Sequence, residues 1–139
     1  MHKETLPDGI GRFADPARAF WHIVRLLSQN KAYSDVPLKR MLLLQTAITQ
    51  GNYFCLMRDE QVRAAVIWRH VVVERFLRTR PHYEGTDSEP TDGVVLQSFV
   101  ATDRLSLYKL WAHVESAFAD KDIFYNRHKV KLGHRPRTR

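Results

Sequence analysis

The chain has 139 residues, 44% of them hydrophobic and 27% charged, proportions that fit one globular domain with a sizeable core and leave no room for two. No apolar run approaches the roughly 18 residues of a membrane span, the N-terminus lacks the layout of a secretory signal, and a single cysteine, Cys55, excludes an internal disulfide; a cytoplasmic location is the expectation. The net charge of +7 is local: residues 127–139 carry six Lys/Arg and no acid, whereas the rest holds 16 basic against 15 acidic groups.

The first predicted element is a helix opening at Asp15-Pro16, a capping side chain followed by proline at the first helical position. Phe20, Ile23, Val24 and Leu27 repeat at helical spacing along one face, and the run ends in the polar residues 28–31. A second helix is expected to start near Ser34-Asp35, with Pro37 in its first turn, and to run through Met41, Leu42, Gln45 and Ile48 to a stop at Gly51. Residues 53–57 are apolar at every position, which predicts a strand covered on both faces. Residues 58–61 make a turn, and 62–73 return as a partner strand with Trp68 in its middle.

Residues 74–80 fit a short helix or a strand end equally well, and 81–93, with two prolines, two glycines and four acids, read as a surface loop. A strand is predicted over 94–101. Asp103 then caps a helix from Arg104 to about Phe118, with Leu107, Leu110, Trp111 and Val114 on its inner face, and a last strand runs over 123–132. The order predicts an α+β sandwich, a mainly antiparallel sheet flanked by helices. It is also the order of the acetyltransferase-like (GNAT-like) fold. The expected domain is one unit over 1–139, with 127–139 as a basic tail.

The chain further resembles the toxin-activating lysine acyltransferases, bacterial enzymes that fatty-acylate lysines of RTX haemolysins and cyclolysins. The matches are His22-Ile23-Val24-Arg25-Leu26-Leu27-Ser28, Ala47-Ile48, Gly51-Asn52-Tyr53, Arg58-Asp59, Ala65-Val66-Ile67-Trp68, residues 95–101, and Leu107-Tyr108-Lys109-Leu110. They are scattered over most of residues 20–120. The resemblance implies a cytoplasmic homodimer with no metal and no cofactor, taking its acyl chain from acyl carrier protein and passing it to a lysine of an RTX-type protein. It also implies a histidine base for the amine and an aspartate to orient that base. The chain departs here, since the matching positions are Tyr33 and Ser98. Tyrosine, with an ordinary pKa near 10, is a poor base at neutral pH, and serine carries no charge.

Other groups are candidates for the missing roles. His22, on the first helix, is a displaced-base candidate or a half-exposed helix residue. His70 is expected to share a face with Trp68 as a hydrogen-bonded structural histidine, and His113 to sit at the surface or core edge. His2, His82, His128 and His134 lie in termini or the acidic loop, without fixed geometry. Cys55, between Phe54 and Leu56, reads as an inert strand residue. Trp21, Tyr53, Phe54, Trp68, Phe99 and Trp111 read as core, with the lining of an acyl channel as the alternative for some of them. Residues 101–107 contain no glycine, which argues against a backbone cradle for coenzyme A and suits a carrier-protein donor, whose acidic surface could dock on the basic tail. Two alternatives stand beside this reading. One is a non-catalytic relative that binds an acidic protein or an acyl chain. The other is a nucleic-acid-binding protein using the tail, against which the near-neutral body argues.

Overall fold

A computed structural model describes residues 8–29, 38–80, 83, 90–127 and 131–138. The elements are β1 (Gly9–Gly11), α1 (Pro16–Ser28), α2 (Leu38–Thr49), β2 (Tyr53–Arg58), β3 (Gln61–Val71), α3 (Val73–Thr79), β4 (Gly93–Ala101), α4 (Arg104–Ala117), β5 (Asp122–Arg127) and β6 (Lys131–Arg135). All six strands join one sheet in chain order. Every neighbouring pair is antiparallel except β4 and β5, which run parallel.

Strand alternation sorts the core into two layers. Cys55 and Ile67 face the layer of α1 and α2, where Ile23, Leu27 and Ile48 pack. Phe54, Val66 and Trp68 face α4 and its Leu110 and Val114. A strand buried on both faces needs apolar residues at every position, and β2 has them from Tyr53 to Met57. A smaller cluster of Val71, Phe76, Tyr83 and Phe124 lies under α3. Each fully buried aliphatic side chain here contributes about 1.5–3 kcal/mol relative to exposure.

Local chemistry explains the element ends. Asp15 accepts a hydrogen bond from the Ala17 amide at 3.0 Å and Pro16 opens α1. At the end of α2, Gly51 adopts φ 79°, its amide donates to Ile48 O at 3.0 Å and the Asn52 amide to Ala47 O at 2.8 Å. That is the glycine-terminated helix stop the sequence announces. The segment entering α1 is tied to β2: the Phe13 amide donates to the Tyr53 hydroxyl at 2.8 Å, and Arg12 Nε donates to Gly51 O at 2.8 Å.

Several expectations need correction. Residues 74–80 resolve as helix, since α3 covers Val73–Thr79. The expected start of the second helix at 34–37 lies outside the described residues, as does most of the loop 81–93. Trp21 is 56% exposed, because its position on α1 faces away from the sheet. Leu107 is exposed, and Ser106, Leu110 and Val114 form the buried stripe of α4. The single last strand is two strands, β5 and β6, paired antiparallel from Ile123↔Arg135 to Arg127↔Lys131. The basic tail therefore supplies an edge strand. β1, three residues long, is an element that the sequence pattern did not signal.

Candidate functional site

The parallel pair β4/β5 is bonded only near its start, where Gly93, Val94 and Val95 register with Asp122, Ile123 and Phe124. Beyond that point β4 continues to Ala101 along β3, while β5 continues to Arg127 along β6. The two strands part toward their C-terminal ends, leaving a cleft in the middle of the sheet. Its apolar wall comes from three elements. Phe99 of β4 lies 6.2 Å from Trp111 of α4, which lies 5.3 Å from Tyr125 of β5. All three are half-buried and pack on the α4 layer, and the Tyr125 ring also lies over Gly133 of β6. A row of partly exposed aromatic rings between separated strands is suited to an apolar chain or arm.

β4 carries a bulge on this cleft. Leu96 registers with Trp68 and Ser98 with Ile67, so Gln97 stands opposite no residue of β3. Its carbonyl accepts a hydrogen bond from Arg40 Nη2 of α2 at 2.9 Å. Ser98, the residue after the bulge, is buried. Tyr33 lies outside the described residues.

At the far end of β4 the chain turns directly into α4, a strand–helix junction that can offer its amides to an anion. Here the anion is internal. Asp103 accepts from the Ser106 amide at 2.8 Å, from the Ser106 hydroxyl at 3.0 Å and from the Thr102 hydroxyl at 3.0 Å, with Arg58 at 3.4 Å. The Ser106 amide, with these partners, holds the Asp103 carboxyl below the usual carboxylate range. A phosphate at this junction would have to displace it.

The remaining titratable groups lie elsewhere. His22 stacks on Phe13 at 5.0 Å, meets Trp21 edge-on at 4.8 Å, and lines a cavity on the α1 side of the sheet. His70 shares the face of Trp68 as expected, its Nε2 accepting from Trp68 Nε1 at 3.4 Å. Burial, then the charge of Lys121, pushes its pKa down. His113 meets the Phe54 ring edge-on at 4.6 Å. Cys55 is fully buried and its thiol is pushed up to about 12 by burial.

The fixed geometry of His134 was missed by sequence reasoning. Its Nε2 lies 2.9 Å from Asp122 Oδ2, and its ring stacks on Phe124 at 4.5 Å. Asp122 also accepts from the Arg137 amide at 3.0 Å and from Arg137 Nε at 2.9 Å, while Arg137 Nη2 donates to Asp92 at 3.0 Å. This carboxylate–histidine pair sits where β4 and β5 are still bonded, at the opposite end from the cleft. Only the register of β6 on β5 brings His134 to Asp122, and no local motif encodes that. Among the described residues, no three His, Cys, Asp or Glu side chains group as metal ligands. No described helix is long and apolar enough to cross a membrane.

No family model matches the sequence, and no curated protein matches it. Among solved structures, the chain is similar to an acetyltransferase of the GNAT family from Streptococcus agalactiae 2603. The two share 11% sequence identity and superpose with a TM-score of 0.61, over 91% of this chain and 80% of the other. The fold is thus that of the GNAT acetyltransferases: a mixed six-stranded sheet flanked by helices.

Proposed function

We propose that this protein is an acyltransferase that takes an acyl chain from acyl carrier protein and passes it to a lysine ε-amine of an RTX-type protein. The observation that carries the reading is the parted β4/β5 pair with its aromatic wall of Phe99, Trp111 and Tyr125. A thioester on a pantetheine arm needs a slot through the sheet with apolar sides, and the unpaired stretch between β4 and β5 supports that reading. The likeness in fold to a GNAT acetyltransferase supports acyl transfer as the reaction class. The scattered resemblance to the toxin-activating enzymes supports the donor and acceptor.

In this reaction the amine nitrogen attacks the thioester carbonyl, the carbon–sulfur bond breaks, and the pantetheine leaves as a thiol. The attacking amine must first lose a proton. Tyr33 and Ser98 stand at the positions of the family's base and its orienting acid. Ser98 lies beside the bulge at Gln97, beyond Val95, the last β4 residue paired with β5. Asp103 on the α4 N-terminus disfavours a free coenzyme A donor, whose pyrophosphate would compete with that carboxylate. A carrier-bound arm makes no such demand.

A second reading has its own observation. Within the described residues the histidine–carboxylate pair, His134 and Asp122, is placed away from the cleft. A relative that binds an acyl chain or an acidic carrier without transferring it fits that arrangement. Incubation with carrier protein loaded with a labelled fatty acyl chain separates the two. Label moving to a lysine of an RTX-type protein supports transfer. Binding without transfer, converted to transfer by Tyr33→His with Ser98→Asp, supports the inactive relative. Neither binding nor transfer overturns both. The cytoplasm, where loaded carrier resides, is the location this reading requires. Arg135 and Arg137 are engaged within the fold, which leaves fewer tail cations for an acidic carrier or for nucleic acid.

A further inference from the structure

A second cavity lies on the other side of the sheet from α4. It has a volume of about 210 Å³, between α1 and the β2–β3 turn. That is room for a small metabolite. The α1 wall presents His22, Arg25 and Gln29, and the turn presents Glu60, with Leu26 and Val62 as the apolar part of the lining. Two features single out the charges. Neither the Arg25 guanidinium nor the Glu60 carboxylate makes an ion pair or a side-chain hydrogen bond among the described residues. Arg25 is instead held over the Trp21 ring, its Cζ 5.3 Å from the centroid. Glu60 is held in the left-handed region at φ 60°, a conformation that fixes where its side chain leaves the turn.

We propose that this cavity is a binding site for a free aliphatic α-amino acid. The guanidinium of Arg25 would take the α-carboxylate, Glu60 the α-ammonium, and Leu26 and Val62 the side chain. A zwitterion answers both unpaired charges at once, whereas an anion alone would face the Glu60 carboxylate and an amine alone the Arg25 guanidinium. His22 and Gln29 add polar contacts on the helix wall. Thr102 also lines the cavity, and its hydroxyl donates to Asp103, the cap of α4. An occupant would therefore touch the residue that anchors the β4–α4 junction. The site rests on none of the acyl-transfer reading and stands if that reading fails.

The test is a titration of the full chain, labelled with ¹⁵N, with free leucine, isoleucine and valine. Isopentylamine and 4-methylpentanoate serve as controls with a single charge. Saturable shifts of the amides of Arg25, Glu60 and Thr102 are expected for at least one amino acid, with each control binding about tenfold or more weakly. Arg25→Gln and Glu60→Gln, both at exposed positions, should each weaken binding about tenfold while leaving the remaining spectrum unchanged. No saturable shift with any of the three amino acids, a control that binds as tightly as the amino acid, or binding that survives both substitutions would overturn the proposal.

Discussion

Asp122 and Arg137 join the C-terminal edge of the sheet to its centre: Arg137 Nε donates to Asp122 Oδ1 at 2.9 Å, and the Arg137 amide donates to the same oxygen at 3.0 Å. Through Asp92, the same guanidinium reaches the segment that enters β4. The three residues hold β4, β5 and β6 together at the closed end of the cleft, so the strands can part at the other end without losing the sheet. Asp122→Asn should cost about 2 kcal/mol, the scale of a lost charge-assisted hydrogen-bond pair. A denaturant titration would show a lower midpoint with an unchanged slope.

The same carboxyls set an acid limit. Burial pushes the Asp122 carboxyl up, but the Arg137 amide, His134 and the Arg137 side chain outweigh it and the net shift is down. Asp92 behaves alike: burial raises it, while the Val73 amide and Arg137 lower it further. A carboxyl depressed in the folded state contributes stability above its unfolded value, near 4, and loses that contribution as pH falls through the lower folded value. The Tm difference between the wild type and Asp122→Asn should be full at pH 6 and shrink steadily below pH 4.

Two tryptophans should respond in opposite ways. Trp68 is 2% exposed and touches Phe54 and Phe118 at centroid distances of 4.7 and 5.0 Å. Trp68→Ala should cost about 3–5 kcal/mol. Trp21→Ala, at an exposed site, should change stability by no more than about 0.5 kcal/mol. Chemical denaturation of both variants checks the pair.

Much of this was legible in the sequence because local patterns encode it. Asp15-Pro16, Gly51 and Asp103 mark helix ends through capping chemistry that acts within a few residues. The unbroken apolar run of β2 announced a strand covered on both faces. What stayed hidden depends on long-range pairing. The His134–Asp122 contact needs the β5/β6 register, and the parting of β4 from β5 needs β6 to draw β5 away. Trp21 departs from its hydrophobic character because helical phase decides: it precedes His22 and lies off the face shared by Ala19, Ile23 and Leu26. Leu107 departs the same way on α4.

Cys55 gives a clean check on the two-sided core. With its thiol pushed up to about 12 by burial between β1 and β3, it should resist thiol reagents at pH 8 in the folded protein. Ellman's reagent should report one thiol only after denaturant is added.

The β2–β3 turn stores strain that can be removed. Asp59 and Glu60 adopt φ 53° and 60°, left-handed values at residues that bear a Cβ. A two-residue turn of this hand favours glycine at the second position. Glu60→Gly should therefore raise stability by about 1 kcal/mol and weaken amino-acid binding in the cavity about tenfold or more, a gain in stability set against a weakened site. Thermal melts and the ¹⁵N titration read the two effects separately.

The parted strands are best tested with a carrier protein loaded with a fatty acyl chain that ends in a photoreactive diazirine. After irradiation and digestion, mass spectrometry locates the adducts. Adducts on Phe99, Trp111 or Tyr125, lost on competition with an unmodified acyl carrier, are the predicted result. Adducts confined to the outer surfaces of α1 and α2, or none at all, would contradict it.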